Sequence, residues 1–324
     1  MPEIAKAAAR SEVDVVLLTD HDTLAAKKAG EEGWHGSVLV LVGEEISPPG
    51  ENHYLAFGLD EHVRRRDRSA AQICAAVRDG GGFGFAAHPW SRGSELVKRD
   101  GMPFRDLDAA DGVELWSLVT DTAESLRSFR AAARFVAAPE RFVDHPPERN
   151  LREWDRLCGD RRLPAVGGLD AHQFGKRVGP VVPVRLMSYA RSFRLLRTHV
   201  LCEQPLLGEL DHDRAQVFSA LREGRSYIAF DALAPARGFR FFASGPQGDL
   251  AMGAEAPAGR YSLRTFVPAP ARLRLLRNGE EVVSRHAPAL AWDVDEPGVY
   301  RVEAYLERHG RECTWVLSNP IYLR

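Results

Sequence analysis

Residues 13–23, VDVVLLTDHDT, set the pattern from which the architecture of this chain is predicted. A mainly apolar run leads directly into an Asp-His-Asp cluster that is flanked by two threonines. Apolar runs without polar alternation are typical of strands that are buried on both faces, as in parallel sheets. The polar cluster then falls where the strand leaves the core, which in an α/β barrel is the rim that carries the active site.

The same pattern recurs in SVLVLVGEEIS (37–47), FGFAAHP (83–89) and PAVGGLDAH (164–172), and each run ends in His, Asp or Glu. The short strand HYLAFG (53–58) instead begins with a histidine, and a hairpin would return that histidine to the same rim. Imidazole and carboxylate ligands together suit Zn, Mn or Fe. We therefore predict a metal site with the ligands His21, Glu45, His53, His88, Asp170 and His172.

The order of helices and strands predicts an α/β domain followed by a β-sandwich. Helical segments at 2–10, 69–79, 122–137 and 150–159 alternate with the strands, which favours parallel βαβ units. Beyond residue 226 the segments are short, alternate between polar and apolar residues, and are separated by Gly or Pro, which is typical of an antiparallel sandwich. The predicted domains are residues 1–235 and residues 236–324.

Composition excludes several other classes of protein. Lys and Arg number 43 against 45 Asp and Glu, so no basic excess suggests binding to nucleic acid or to an anionic membrane. No apolar run approaches the roughly 20 residues that span a bilayer, and the first residues lack the apolar segment of a signal peptide. The four cysteines are far apart, which fits a reducing compartment. We expect a soluble cytoplasmic protein with a small-molecule substrate; its oligomeric state is not predictable.

Four motifs resemble those of the PHP (polymerase and histidinol phosphatase) superfamily: TDHDT (19–23), GEEIS (43–47) followed by His53, AHP (87–89) and GLDAH (168–172). The resemblance extends through FRLLRTHVL (193–201) and LSNPIY (317–322), and this layout is similar to that of the CehA/McbA-type metallohydrolases. It implies a distorted (β/α)7 barrel followed by an immunoglobulin-like β-sandwich. It also implies two or three divalent metal ions at the C-terminal ends of the barrel strands.

The resemblance also assigns roles to single residues. Glu45, rather than Glu44, matches the glutamate that bridges the metals, and the predicted histidines together with Asp170 match other ligand positions. Asp20 and Asp22 flank a ligand and would orient its imidazole or donate the leaving-group proton. Glu44 and Glu114 would lie behind the ligands. Three basic residues follow ligand motifs and could contact an anionic substrate, although solvated loop positions are the alternative for each: Arg92, Lys176 and Arg177.

One departure from the PHP pattern concerns the beginning of the chain. PHP proteins begin with a strand that carries His-x-His, whereas the first histidine here is His21. Either the start codon has been placed too far downstream, which we favour, or the protein is truncated. Without that strand the barrel has an open edge with unpaired backbone groups, and the site lacks two ligands.

The predicted activity is metal-assisted hydrolysis. A hydroxide that bridges the metals, with its pKa lowered toward about 7, would attack a phosphorus or carbonyl centre. The PHP resemblance implies a phosphoester substrate, whereas the CehA-type resemblance implies a carboxyl ester or carbamate. The alternative from another class is an inactive PHP scaffold that acts as a binding module, and the metal content of the protein distinguishes the two.

Overall fold

The structure is a computed structural model that describes residues 1–96, 99–171, 174–178, 182–186, 188–246 and 248–324. For residues 99, 136, 174–178 and 182–186 the description covers the backbone alone. The helices are α1 (Pro2–Ala9), α2 (Ala25–Lys28), α3 (Ala70–Asp79), α4 (Leu118–Ser125), α5 (Phe129–Ala137), α6 (Glu148–Asp160), α7 (Tyr189–Ser192) and α8 (Leu210–Glu223). Within these described ranges, none of the helices combines the length and the apolar composition that a membrane crossing requires.

The strands fall into an N-terminal and a C-terminal set. The N-terminal strands are β1 (Val15–His21), β2 (Gly33–His35), β3 (Val38–Ile46), β4 (Tyr54–Phe57), β5 (Phe83–Ala86), β6 (Gly93–Ser94), β7 (Arg99–Asp100), β8 (Gly112–Ser117), β9 (Ala165–Gly168), β10 (Phe174–Val178) and β11 (Val182–Leu186). The C-terminal strands are β12 (Leu196–Val200), β13 (Ser226–Phe230), β14 (Arg240–Gly245), β15 (Gly248–Ala251), β16 (Glu255–Ala256), β17 (Tyr261–Arg277), β18 (Glu280–Val294), β19 (Gly298–Arg308), β20 (Arg311–Ser318) and β21 (Ile321–Leu323).

The first large sheet is mixed, with the strand order β1-β3-β4-β5-β8-β9 and β2 paired with β3. The pairs β1/β3, β5/β8 and β8/β9 are parallel, as the alternation of helices and strands predicts. Strand β4 is antiparallel to both β3 and β5. Its direction reverses because residues 47–53 are too few for the crossover connection that parallel neighbours need.

This sheet curls around an apolar interior. Every residue of β3 is buried, and its side chains alternate between two cores. Leu39 and Leu41 pack with Phe57 and Phe85 in the interior, where α8 contributes further apolar side chains. The other face of β3 packs in a separate core that contains residues from α1 and α3. The result is a curled half-barrel, and the closed (β/α)7 form remains a prediction.

The half-barrel is open along one seam, which we define as the space between β1 and β12. Within the described residues, β1 pairs with β3 alone and β12 pairs with β13 alone. Both strands line one cavity of about 1340 Å³. Protein interiors are close-packed, so a cavity of this size marks an opening in the barrel wall rather than a packing defect.

The second large sheet is antiparallel apart from one short parallel pair, β16/β21, and has the path β12-β13-β20-β19-β17-β14-β15. The turn between β17 and β18 is the Asn-Gly pair at 278–279, where both residues have positive φ, as a tight hairpin turn requires. Because β13 pairs with β20, the hydrogen-bonded ladder continues across the predicted domain boundary at residue 235. The domain limits and the immunoglobulin-like topology therefore remain predictions.

A buried ion pair links the C-terminal sheet to the helical layer of the half-barrel. Arg301 on β19 is 2% exposed, and its Nε and Nη2 donate to the Asp155 carboxylate of α6 at 2.6 and 2.7 Å. Its Nη1 donates to Glu303 at 2.6 Å, and the guanidinium lies over the ring of Trp154. The two parts of the chain are therefore joined by charged groups that are shielded from water.

Candidate metal centre

Strand pairing brings three of the predicted ligands together. The parallel register of β1 and β3 places His21 opposite Glu45. The antiparallel pairing of β3 with β4 returns the chain so that His53, just before β4, lies beside the same glutamate. One ligand atom from each of these three residues lies within 4.8 Å of the others, so the group could hold a metal ion.

The Glu45 carboxylate is the centre of this group. Its Oε1 lies 2.5 Å from His53 Nδ1 and 3.7 Å from His88 Nε2, and its Oε2 lies 3.9 Å from His21 Nδ1. The His53 ring lies edge-on to both other rings, with centroid distances of 5.0 Å to His21 and 5.5 Å to His88. Three imidazoles thus converge on one carboxylate, which suits a glutamate that bridges two metals.

Electrostatics keep this carboxylate ionised. Burial by itself raises the pKa of Glu45, but the hydrogen bond from His53 and the proximity of the His88 and His21 imidazoles outweigh burial and lower that pKa well below its usual range. Burial opposes protonation of His88, yet the nearby carboxylates of Glu45, Glu114 and Asp170 raise the pKa of His88 to about 9. Glu45 is therefore ionised at neutral pH in the metal-free protein, which is the form of a carboxylate that binds a metal.

The donor set tests whether a metal fits these residues. Three imidazoles and one carboxylate lie close together, and these are groups that divalent ions bind in proteins. The Nδ1 of His88 is buried and has no hydrogen-bond partner among the described residues, but the nitrogen that faces Glu45 is Nε2. The fit to a divalent metal therefore rests on the histidine and carboxylate donors around Glu45.

Of the two predicted ligands after β9, one lies at the same cavity and the other cannot be placed. Asp170 lines the cavity with His21, Glu45 and His88, and its Oδ2 accepts a hydrogen bond of 2.5 Å from Thr120. His172 lies outside the described residues. The structure thus gathers His21, His53 and His88 around the Glu45 carboxylate, with Asp170 lining the same cavity.

Glu114 lies directly behind His88. Its side chain is buried, and its Oε2 accepts a hydrogen bond of 2.9 Å from the main-chain N–H of His88. A Cβ on Gly168 would lie 1.8 Å from Glu114 Oε1, so a residue without a side chain is required there. Burial raises the pKa of Glu114 to about 8, with Asp170 and Glu45 adding to the effect and His88 opposing it.

We expect Glu114→Gln to reduce the pH dependence of stability in the metal-free protein. The raised pKa means that folded Glu114 retains a proton that the unfolded chain releases near pH 4.5. This contribution is fully present below pH 4.5 and is lost as the pH rises toward 8, with a slope of up to about 1.4 kcal/mol per pH unit. Urea unfolding from pH 5 to 8 measures it; equal slopes for parent and variant would contradict the expectation.

The acidic residues on either side of the ligands have different environments. Asp20 is exposed at the end of β1. Asp22 accepts a hydrogen bond of 2.9 Å from the Ser47 N–H and forms a 3.0 Å ion pair with Arg65, so it ties β1 to the end of β3. Glu44 is fully buried and accepts a 3.0 Å hydrogen bond from the Val63 N–H. Adjacent strand residues face opposite sides, so Glu44 lies away from the cavity that Glu45 lines.

The predicted substrate-binding residues lie on two separate segments. Arg92 is exposed in the loop after His88, and its main-chain N–H donates to Glu124 at 2.5 Å. Lys176 and Arg177 lie on β10, which pairs with β11, and their side chains are outside the described part of the chain. Contact of these residues with a substrate remains a prediction.

Sequence reasoning missed two residues that hold the candidate ligands. Thr120, at the start of α4, donates to Asp170, and Asn52 is buried with its Nδ2 donating to the main-chain oxygen of His88 at 2.9 Å. The position of Asn52 directly before His53 was the available signal. No sequence signal pointed to Thr120, because no short-range pattern in the sequence connects it with Asp170.

Among the solved structures that match this chain, two illustrate how low the similarity is. No family model matches the chain, and no curated protein matches it. A two-domain protein from Bacteroides vulgatus ATCC 8482, described as containing a predicted PHP-like metal-dependent phosphoesterase, is 14% identical, with a TM-score of 0.42 over 98% of this chain and 90% of that one. PsfC from Pseudomonas syringae PB-5123 is 16% identical, with a TM-score of 0.41 over 72% of this chain and 83% of that one. At these identities and TM-scores the likeness carries no information about chemistry. What the site can do follows from the residues of this chain alone.

Proposed function

We propose that this chain is a metal-dependent hydrolase that acts on a phosphoester, with a carboxyl ester or carbamate as the second choice. The observation that carries the proposal is the convergence of His21, Glu45 and His53, whose ligand atoms lie within 4.8 Å of one another. The nearby His88 and Asp170 would allow two or three divalent ions, of Zn, Mn or Fe, to be held at this cavity.

The residues of the site have separable roles in such a reaction. Bound divalent ions would supply a hydroxide near neutral pH and polarise the substrate oxygen. Glu45 stays ionised and lies between the imidazoles, while His21, whose side chain is 43% exposed, faces the opening. Asp20, which is exposed and lines the cavity, Asp22 and the histidines are our candidates for donating the leaving-group proton. Arg92 is our candidate for contacting an anionic substrate.

Metal reconstitution tests this function. The protein is stripped with a chelator, reloaded with Zn²⁺, Mn²⁺ or Fe²⁺, and assayed on p-nitrophenyl phosphate, bis-p-nitrophenyl phosphate and 1-naphthyl esters. At least one tightly bound ion per chain, together with metal-dependent turnover of one of these substrates, is expected. Less than one bound ion and no turnover would instead favour the inactive binding scaffold. The open seam is the observation that favours that second candidate.

We further propose that the seam accepts one more strand, as the PHP resemblance implies. Val15, Leu17 and Val200 line the cavity toward the half-barrel interior, and Ile4 and Phe193 line it as well. Ile4 and Phe193 pack in the core on the outer face of the sheet, which also contains residues from α1 and α3. A strand in the seam would therefore have apolar neighbours on both faces. Such a strand would resemble the continuous apolar run of β3. It would also lie along the edges of β1 and β12 that face the seam.

Hydrogen exchange tests the seam. The amides of β1 and β12 are expected to exchange faster than those of β17, which has partners on both sides. Adding a synthetic apolar strand peptide is expected to slow exchange in β1 and β12 and to leave β17 unchanged. Unchanged exchange in β1 and β12 at saturating peptide would contradict the proposal.

A further inference from the structure

A buried amide connects two of the candidate metal ligands. Asn52 is 2% exposed, and its Nδ2 donates to the main-chain oxygen of His88 at 2.9 Å. The next residue in the chain is His53, whose Nδ1 lies 2.5 Å from the Glu45 carboxylate. Asn52 is therefore hydrogen-bonded to the main chain of one candidate ligand, His88, and is covalently linked to another, His53.

The backbone of His88 adopts a conformation that needs such support. Its φ is +32°, in the left-handed region that residues with a Cβ rarely occupy. Residues held in such conformations persist where surrounding contacts determine them, and they cluster at functional sites. Without those contacts, His88 would relax toward negative φ, and its imidazole would turn away from Glu45.

Contacts on both sides of His88 hold this conformation. On one side its N–H donates to Glu114 Oε2 at 2.9 Å, and the preceding Ala87 N–H donates to the oxygen of His53 at 2.9 Å. On the other side its carbonyl accepts from Asn52 Nδ2 and from the Ser91 N–H, at 2.9 and 3.0 Å. The Ser91 contact lies within the same turn and moves with it. Asn52 is thus the contact that ties this carbonyl to the segment just before β4.

We propose that Asn52 is a positioning residue that fixes the His88 imidazole relative to His53 and Glu45, and so sets the geometry and affinity of the metal centre. The inference rests on the proposed metal-dependent function. Asn52 itself is no ligand; it acts through the main chain of His88. Groups that orient metal ligands typically contribute 10- to 100-fold to metal affinity.

The test replaces the amide with an apolar group of similar size, Asn52→Leu. Zn²⁺ affinity is measured by competition with a chromophoric chelator, and the Co²⁺-loaded protein is examined by visible absorption. The variant is expected to bind Zn²⁺ about 10- to 100-fold more weakly and to show altered Co²⁺ bands. An affinity within twofold of the parent, together with an unchanged Co²⁺ spectrum, would overturn the proposal.

A matched variant separates positioning from loss of stability. Asn319 is also 2% exposed, and its Nδ2 donates to the Ala165 oxygen at 2.9 Å, away from the ligands. Asn319→Leu is expected to lower the melting temperature and to leave Zn²⁺ affinity and the Co²⁺ bands unchanged. An equal loss of affinity in Asn319→Leu would reduce Asn52 to a structural role.

Metal-free measurements distinguish the failure of this inference from the failure of the proposed function. Amides of residues 87–91 are expected to exchange faster in metal-free Asn52→Leu than in the parent. A parent that takes up no Zn²⁺ would refute the metal centre, while faster exchange in the variant would still demonstrate that Asn52 holds the His88 backbone. Unchanged exchange would overturn the positioning role whatever the parent binds.

Discussion

Glu45→Gln is expected to weaken divalent metal binding by at least about 100-fold and to reduce any hydrolytic turnover by at least about 1000-fold. Glutamine has the same size but carries no charge, and this carboxylate is the group on which His21, His53 and His88 converge. With the charge removed, the site keeps its shape and loses the anion that would bridge two cations. Zinc titration calorimetry and the hydrolysis assay measure the two effects.

The neighbouring glutamate is the control. Glu44→Gln makes the same chemical change one residue earlier, where the carboxylate contacts His62 and the Val63 N–H. It is expected to lower stability and to leave metal affinity within about threefold of the parent, because this side chain points to the opposite face of β3. If the two variants lose metal to the same extent, Glu45 has no special role as a ligand.

Arg301→Met is expected to lower the free energy of unfolding by about 3–5 kcal/mol. Burial disfavours the charged guanidinium, but Glu303 and Asp155 more than compensate and hold the pKa of Arg301 above its usual value. Removing the arginine leaves two carboxylates inside the protein without their shared partner. Guanidinium-induced unfolding, followed by tryptophan fluorescence and by far-UV circular dichroism, measures the loss.

An exposed arginine on the same helix as Asp155 provides the comparison. Arg156 pairs with Glu153 at 3.2 Å, with side chains that are 62% and 42% exposed. Arg156→Met is expected to cost less than about 1 kcal/mol, because solvent screens exposed pairs. A loss below about 1 kcal/mol for Arg301→Met as well would show that the buried pair does not hold the C-terminal sheet to α6.

Local patterns predicted the main strands and part of the site. The apolar runs at 13–18 and 38–42 form β1 and β3, and these strands are parallel neighbours, as the α/β interpretation requires. The proposed hairpin that returns His53 to the rim is confirmed by the antiparallel pairing of β3 with β4. These features were predictable because apolar periodicity and loop length act over a few residues.

Contacts between distant segments could not be predicted in this way. The pairing of β13 with β20 joins residues on opposite sides of the expected domain boundary. Likewise, the hydrogen bonds from Asn52 to His88 and from Thr120 to Asp170 join side chains that no local pattern connects. The open seam between β1 and β12 depends on how far the whole sheet curls.

For this chain, then, the amino-acid order alone determined where the main apolar strands of the half-barrel form and which side chains stand at their ends, because both depend on neighbouring residues. Only the tertiary structure decided that His21, His53 and His88 meet around one carboxylate and that His88 is held in a left-handed backbone conformation. The physical reason is that these distances depend on sheet register and curvature, which arise from packing over the whole chain and not from any single segment.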